Sequence, residues 1–178
     1  RLLQRRFGDD KQVTVLPRAL GRAPGQAQML ASVRTPTVST LSADFAARAG
    51  AVASFRGVRW DPGPVVPVDT LDALIACHGR PDFVKIDVEG YELEVLLGLS
   101  EPLPALSFEF LPAVRDIALG CIDRLEALAA PGLQRYRYAV SLGESQRLLQ
   151  PQGVPADAMR AWLLALPFWI GLVALVFV

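Results

Sequence analysis

The residues best suited to chemistry stand together in Lys85-Ile86-Asp87-Val88-Glu89-Gly90-Tyr91-Glu92. Side chains alternate along a strand, so Lys85 and Asp87 share one face while Ile86 and Val88 share the other. Asp87 falls at the strand's end, facing the crevice in which open α/β sheets bind ligands. Gly90 allows a sharp turn into a helix, and Glu92 lies in the first helical turn, where the helix dipole favours a carboxylate. Asp87, Glu89 and Glu92 would repel one another unless a cation, a hydroxyl donor or Lys85 compensates. The plain structural alternative is a Lys85–Asp87 ion pair with Glu89 and Glu92 solvated or capping. A lysine in the middle of a buried strand is costly, and that cost favours a functional reading.

Two further strand ends carry informative residues. Ser107-Phe108-Glu109-Phe110 closes an apolar run, and Glu109 there could face the same crevice or sit at a solvated edge. Arg18 and Ala19 follow a short β-prone run. Cys77 and Cys121 form neither a metal-ligand spacing nor a disulfide framework, and their apolar neighbours predict two buried thiols. His78, the single histidine, precedes Gly79 and reads as a helix-end residue. A zinc site or a Ser–His–Asp hydrolase would have to be built on it. No Gly-x-Gly-x-x-Gly and no Walker-type loop occurs.

The elements that must position these residues alternate between strand and helix. Strands are predicted over 13–16, 65–68, 83–88, 105–110 and 136–140, with Pro67 suggesting an edge position for the second. Residues 83–88 suit a buried parallel strand. Residues 54–64 read as irregular. The start of the chain reads as the tail of a helix, and Ser42 caps a helix through Arg48 with Gly50 just past its end. Asp69 or Thr70 caps another, with Leu71, Leu74 and Ile75 on one face. A helix follows Gly90 as far as Leu97. The stretch 116–130 is amphipathic, burying Ile117, Cys121, Leu125 and Leu128, and Pro131-Gly132 stops it. A last helix is predicted over 155–166. This alternation implies a parallel α/β sheet with helices on its faces.

The chain has 178 residues, 52% of them hydrophobic, enough for one domain with a sizeable core. Formal net charge is zero, which argues against a nucleic-acid binder because no basic excess exists to neutralise phosphates. No signal-peptide pattern opens it, so a cytoplasmic location is expected. Residues 161–178 contain no charge. One reading makes 168–178 a final buried strand after Pro167. The other makes 161–178 a membrane segment and the protein membrane-associated, since about 20 apolar residues span a bilayer. The strand is the preferred reading.

The lysine–carboxylate block, together with Val95-Leu96 and Gly98, and Val68-Asp69-Thr70-Leu71-Asp72 before it, resembles the FkbM-type methyltransferases. Ser39-Thr40-Leu41 is similar to the family's short Ser-Ser-Leu element, and Leu16-Pro17-Arg18-Ala19-Leu20-Gly21 to its stretch after the third strand. Glu109 stands where the family often ends its fifth strand with a glutamate. The resemblance implies a Rossmann-like class I sheet, mostly parallel, that transfers a methyl group from S-adenosylmethionine, commonly to a hydroxyl oxygen of a small molecule or sugar. It makes Asp87, Lys85 and Glu109 the catalytic candidates and Asp87, Arg18 and Ala19 the cofactor-binding ones. Glu89 and Glu92 would bind the acceptor or, less simply, hold a divalent cation, although no metal is required.

The family's glycine-rich loop and its ribose-binding acid have no counterpart in these residues. The expectation is therefore a partial methyltransferase domain over 1–166, missing its first two strands, with an apolar strand or membrane segment over 167–178. Such a fragment would bind the cofactor weakly and be inactive alone. Two rival readings are a non-catalytic α/β interaction module and a metal-dependent hydrolase using Asp87, Glu89 and Glu109.

Overall fold

A computed structural model describes residues 2–129, 135–145, 147–167 and 173–177. Helix α1 (Leu2–Phe7) is followed by β1 (Ala19–Leu20), β2 (Gly25–Ala31), α2 (Ala43–Ala49), β3 (Asp61–Asp69) and α3 (Leu71–His78). Next come β4 (Val84–Ile86), α4 (Glu92–Leu97), β5 (Leu106–Phe110), α5 (Arg115–Leu128), β6 (Tyr138–Leu142), α6 (Ala156–Ala165) and β7 (Val173–Phe177). The fold class is α/β, as expected, but the strands form two small sheets, ordered β1-β3-β2 and β4-β5-β7-β6.

The expected parallel character is only partly present. Strands β4 and β5 run parallel, as do β1 and β3, whereas β2–β3, β5–β7 and β6–β7 are antiparallel. Strand β7 lies between β5 and β6, antiparallel to both. The uncharged run of the sequence thus contains a strand paired on both sides, a position that favours continuous apolar sequence. Among the described residues no helix is long and apolar enough to cross a membrane. Arg1, the Pro131-Gly132 helix stop, residues 168–172 and Val178 lie outside the described residues.

Period-two alternation sets the main core. Leu106, Phe108 and Phe110 of β5 point to one face with Ile86, Tyr138 and Val140, and meet Val95 and Leu96 of α4, Ile122 and Leu125 of α5, and Met159 and Leu163 of α6. A second cluster joins Phe45, Ala49 and Phe55 to Leu111 and Val114. Phe45 meets the rings of Phe55 and Trp60 edge-on at 5.8 and 6.4 Å. Arg48 at the end of α2 bonds Asp116 at the start of α5, adding a polar tie across the same junction.

Several local expectations need correction. Residues 13–16 form no strand, because no neighbouring strand pairs with them; the pairing begins at Ala19, opposite Val68. The stretch expected to be irregular already enters β3 at Asp61, despite Pro62 and Pro64. Strand β3 is the middle strand of its sheet, yet β1 reaches only Val68 and Asp69, so Pro67 still has one side without a ladder partner. Strand β2 was not foreseen, since its Gly, Ala and Gln residues have little β propensity and only pairing holds them extended. Strand β4 is short and lies at a sheet edge rather than between two strands, which leaves Lys85 exposed where a buried lysine was expected. Cys121 is buried, but Cys77 lies on the outward side of α3 and is exposed.

Candidate functional site

The lysine–carboxylate grouping follows from sheet register. Lys85 pairs with Ser107, so Glu109, two residues further along β5, lies diagonally on the same face. Asp87, two residues beyond Lys85, shares that face. The Lys85 ammonium accordingly meets Asp87 Oδ2 and Glu109 Oε1, each at 2.9 Å. Hydrogen bonds to Glu109 and Asp87 raise the lysine's pKa, so it stays charged. The ion pair given above as the structural alternative is therefore present, enlarged by Glu109.

Beyond Asp87 the backbone turns sharply. Glu89 adopts φ +52° and Gly90 φ +84°. A Cβ on Gly90 would lie 2.4 Å from the Phe45 ring, so both the left-handed backbone and the close approach require glycine here. The Thr40 hydroxyl donates to the Glu89 carbonyl at 2.7 Å and accepts from the Ser42 amide at 2.8 Å. Segment 40–45 thereby clamps the turn that carries Asp87.

Glu92 is 2% exposed. Its Oε1 accepts from the Gly90 amide at 3.0 Å, while Oε2 is buried with no hydrogen-bond partner among the described residues. Burial, opposed by backbone amides, pushes its carboxyl up to about 7. Glu89 is likewise pushed up to about 7, first by burial and then by the charges of Asp87, Glu92 and Glu109. The repulsion expected among these carboxylates is thus eased in two ways: the single Lys85 charge bridges Asp87 and Glu109, and burial shifts Glu89 and Glu92 towards their neutral forms.

A cleft of about 480 Å³ opens beside this turn, within the range of small-molecule sites. Arg18, Ala19, Lys85 and Asp87 line it. Arg18 bonds Asp69 at 2.7 Å, and the Thr70 amide and Arg18 together hold the Asp69 carboxyl below its ordinary range. Leu20, Met29, Leu41 and Leu71 supply apolar walls. Glu89, Glu92 and Glu109 line a separate, much smaller cavity on the other side of Asp87. The structure therefore brings Arg18, Ala19, Lys85 and Asp87 to one cleft and sets the three glutamates behind it.

Thr40 and Tyr91 also line the cleft, and Asp69 holds Arg18 from outside its lining; the sequence alone does not bring these three to the site. The Ser39-Thr40-Leu41 element was visible, but the Thr40 partner lies 49 residues away in sequence. His78 ends α3, as expected, away from this cleft. Among the described residues no group of His, Cys, Asp or Glu side chains is arranged to hold a metal ion, so the hydrolase reading has no ligand set here.

The cleft joins apolar walls to both signs of charge, which suits a zwitterionic molecule with an apolar body. A family model described as "Methyltransferase FkbM domain" matches residues 9–118, a span that contains the whole cleft lining. No curated protein and no solved structure matches the chain.

Proposed function

Because this chain belongs to the FkbM methyltransferase family, we propose that it serves S-adenosylmethionine-dependent methylation of a hydroxyl oxygen on a small molecule or sugar. The observation that carries the proposal is the convergence of Arg18, Ala19, Lys85 and Asp87 on one cleft beside β1 and β4. When bound there, the cofactor supplies a methyl group on a positively charged sulfur. Asp87 accepts the hydrogen bond of the acceptor hydroxyl, aims its oxygen at the methyl carbon, and holds the proton as it leaves. Lys85 fixes the position of Asp87 through their ion pair and its shared contact with Glu109. Arg18 and the neighbouring Ala19 would hold the polar end of the cofactor. Alignment of this kind lowers the barrier by fixing reactants that would otherwise have to meet by chance.

The proposal includes a division of labour. No Gly-x-Gly run occurs in the 178 residues, so the loop that grips the cofactor in this family, and the first two strands of its sheet, are assigned to sequence outside them. Cytoplasmic action on a soluble acceptor is part of the same reading. Calorimetric titration with S-adenosylmethionine tests it, on residues 1–178 and on the full encoded chain. Weak binding to the former, tight binding to the latter, and loss of methyl transfer on Asp87→Asn with binding retained are the expected results. Tight stoichiometric binding to residues 1–178 alone would overturn the division of labour. Undiminished transfer by Asp87→Asn would overturn the role of Asp87.

A further inference from the structure

The β2–β3 ladder opens at Ala31 opposite Asp61. An antiparallel ladder brings together the residues just past one strand and just before the other, here the loops that carry Arg34 and Arg59. Both arginines line a cleft of about 530 Å³ with Ser32, Gly57 and Asp61. Both side chains are exposed, and neither makes a hydrogen bond or ion pair among the described residues. Two guanidinium groups in one cleft against a single carboxylate leave an excess positive charge. Guanidinium donors match oxyanions in fork geometry, which favours phosphate, sulfate or carboxylate.

The cleft walls are fixed before any ligand arrives. Ser32 is buried, and its hydroxyl pairs with that of Thr35 at 2.7 Å. The Trp60 indole N–H donates to the Val38 carbonyl at 2.8 Å and its ring stacks on Phe55 at 6.0 Å, tying loop 32–38 to the strand entry. Gly57 turns the opposite wall at φ +85°, with open space where a side chain would stand. The Ser32 amide reaches the Ser39 hydroxyl at 3.4 Å, and Ser39 lines the cleft that holds Asp87. One loop, 32–40, therefore borders both clefts.

We infer that the Arg34–Arg59 cleft is an oxyanion subsite for the acceptor, which would be a hydroxylated molecule bearing a phosphate or carboxylate. Asp61 accepts a hydroxyl of that molecule while the arginines take its anion. The acceptor part rests on the proposed methyl transfer, whereas oxyanion binding stands without it.

Inorganic phosphate and then a hexose phosphate, each titrated into the full chain and followed by nuclear magnetic resonance, test the two parts separately. Phosphate should shift the Gly57 amide and the Arg34 and Arg59 Nε–H signals. The Arg34→Ala/Arg59→Ala variant should weaken binding at least about tenfold, and Arg34→Lys/Arg59→Lys should weaken it less, because charge remains while the fork is lost. The hexose phosphate should shift Gly57 and also the Asp87 amide, and the neutral hexose should do so far more weakly. Hexose phosphate shifts confined to Gly57 would mark a free-anion site and overturn the acceptor assignment. Phosphate shifts that survive in the double-alanine variant would overturn the subsite itself. Neither readout depends on turnover, so a failure of the methyltransferase reading would be seen separately.

Discussion

In the four-stranded sheet, β5 and β6 bury nearly every side chain, whereas β2 and β3 leave most of theirs exposed or half-exposed. The larger sheet is held by apolar residues pressed against α4, α5 and α6. The smaller one is held by its ladder and by the aromatic cluster of Phe45, Phe55 and Trp60 at its edge. The cleft lined by Asp87 lies where the two meet, with Arg18 and Ala19 from one side and Lys85 and Asp87 from the other. The larger sheet fixes Asp87 through Lys85 and Glu109, and the lighter sheet carries the loops that line the Arg34–Arg59 cleft.

The strongest way to break the comparison is in the larger core. Phe108 is fully buried at the centre of β5. Phe108→Ala should cost about 3–5 kcal/mol in urea unfolding, as large-to-small core changes do. A much smaller loss would mean that the four-stranded sheet is not the stabilising half.

The next effect is electrostatic and lies at the junction. The Glu92 carboxyl is held near 7 against an ordinary value of about 4.5, so the native state binds its proton more tightly than the unfolded chain. Its contribution is fully present below about 4.5 and is lost as the pH rises through about 7. The size is on the order of 3 kcal/mol. Glu89 adds a change of the same sign in the same window. Glu92→Gln should flatten part of the decline in stability between pH 4.5 and 7, measured by urea titration at a series of pH values. An unchanged slope would place the titration elsewhere.

The two sheets also differed in how well their sequence announced them. The alternation in Lys85-Ile86-Asp87 and in Ser107-Phe108-Glu109 identified the shared face of Lys85 and Asp87, and β5 was legible from its apolar run. The Ser42 cap was legible too, since its side chain accepts from the Phe45 amide within the same turn. What escaped was set by partners far along the chain. Lys85 reads as buried until β4 is known to be an edge strand, and Glu92, which reads as solvated or capping, does take the Gly90 amide but is buried by the docking of its helix. Gly25–Ala31 carries no strand signal of its own and is extended because β3 lies beside it. Pro62 and Pro64 read as irregular because propensity penalises them, yet they sit around a register shift opposite Gln28 and Leu30, where the ladder is already interrupted.

The finest test compares one substitution in both sheets. Valine to threonine keeps the shape and exchanges a methyl for a hydroxyl. Val140 on β6 is fully buried, so a hydroxyl there loses water without a designed partner and should cost about 1–3 kcal/mol. Val65 on β3 is 57% exposed, pairs with Gln28 across the ladder, and can keep its new hydroxyl hydrated. Val65→Thr should therefore change stability by no more than about 0.5 kcal/mol, because threonine is as good a strand former and nothing packs on the position. Urea midpoints of the two variants measure the contrast directly. Equal losses would show that Val65 is covered in solution, and the smaller sheet would then have a packed face of its own.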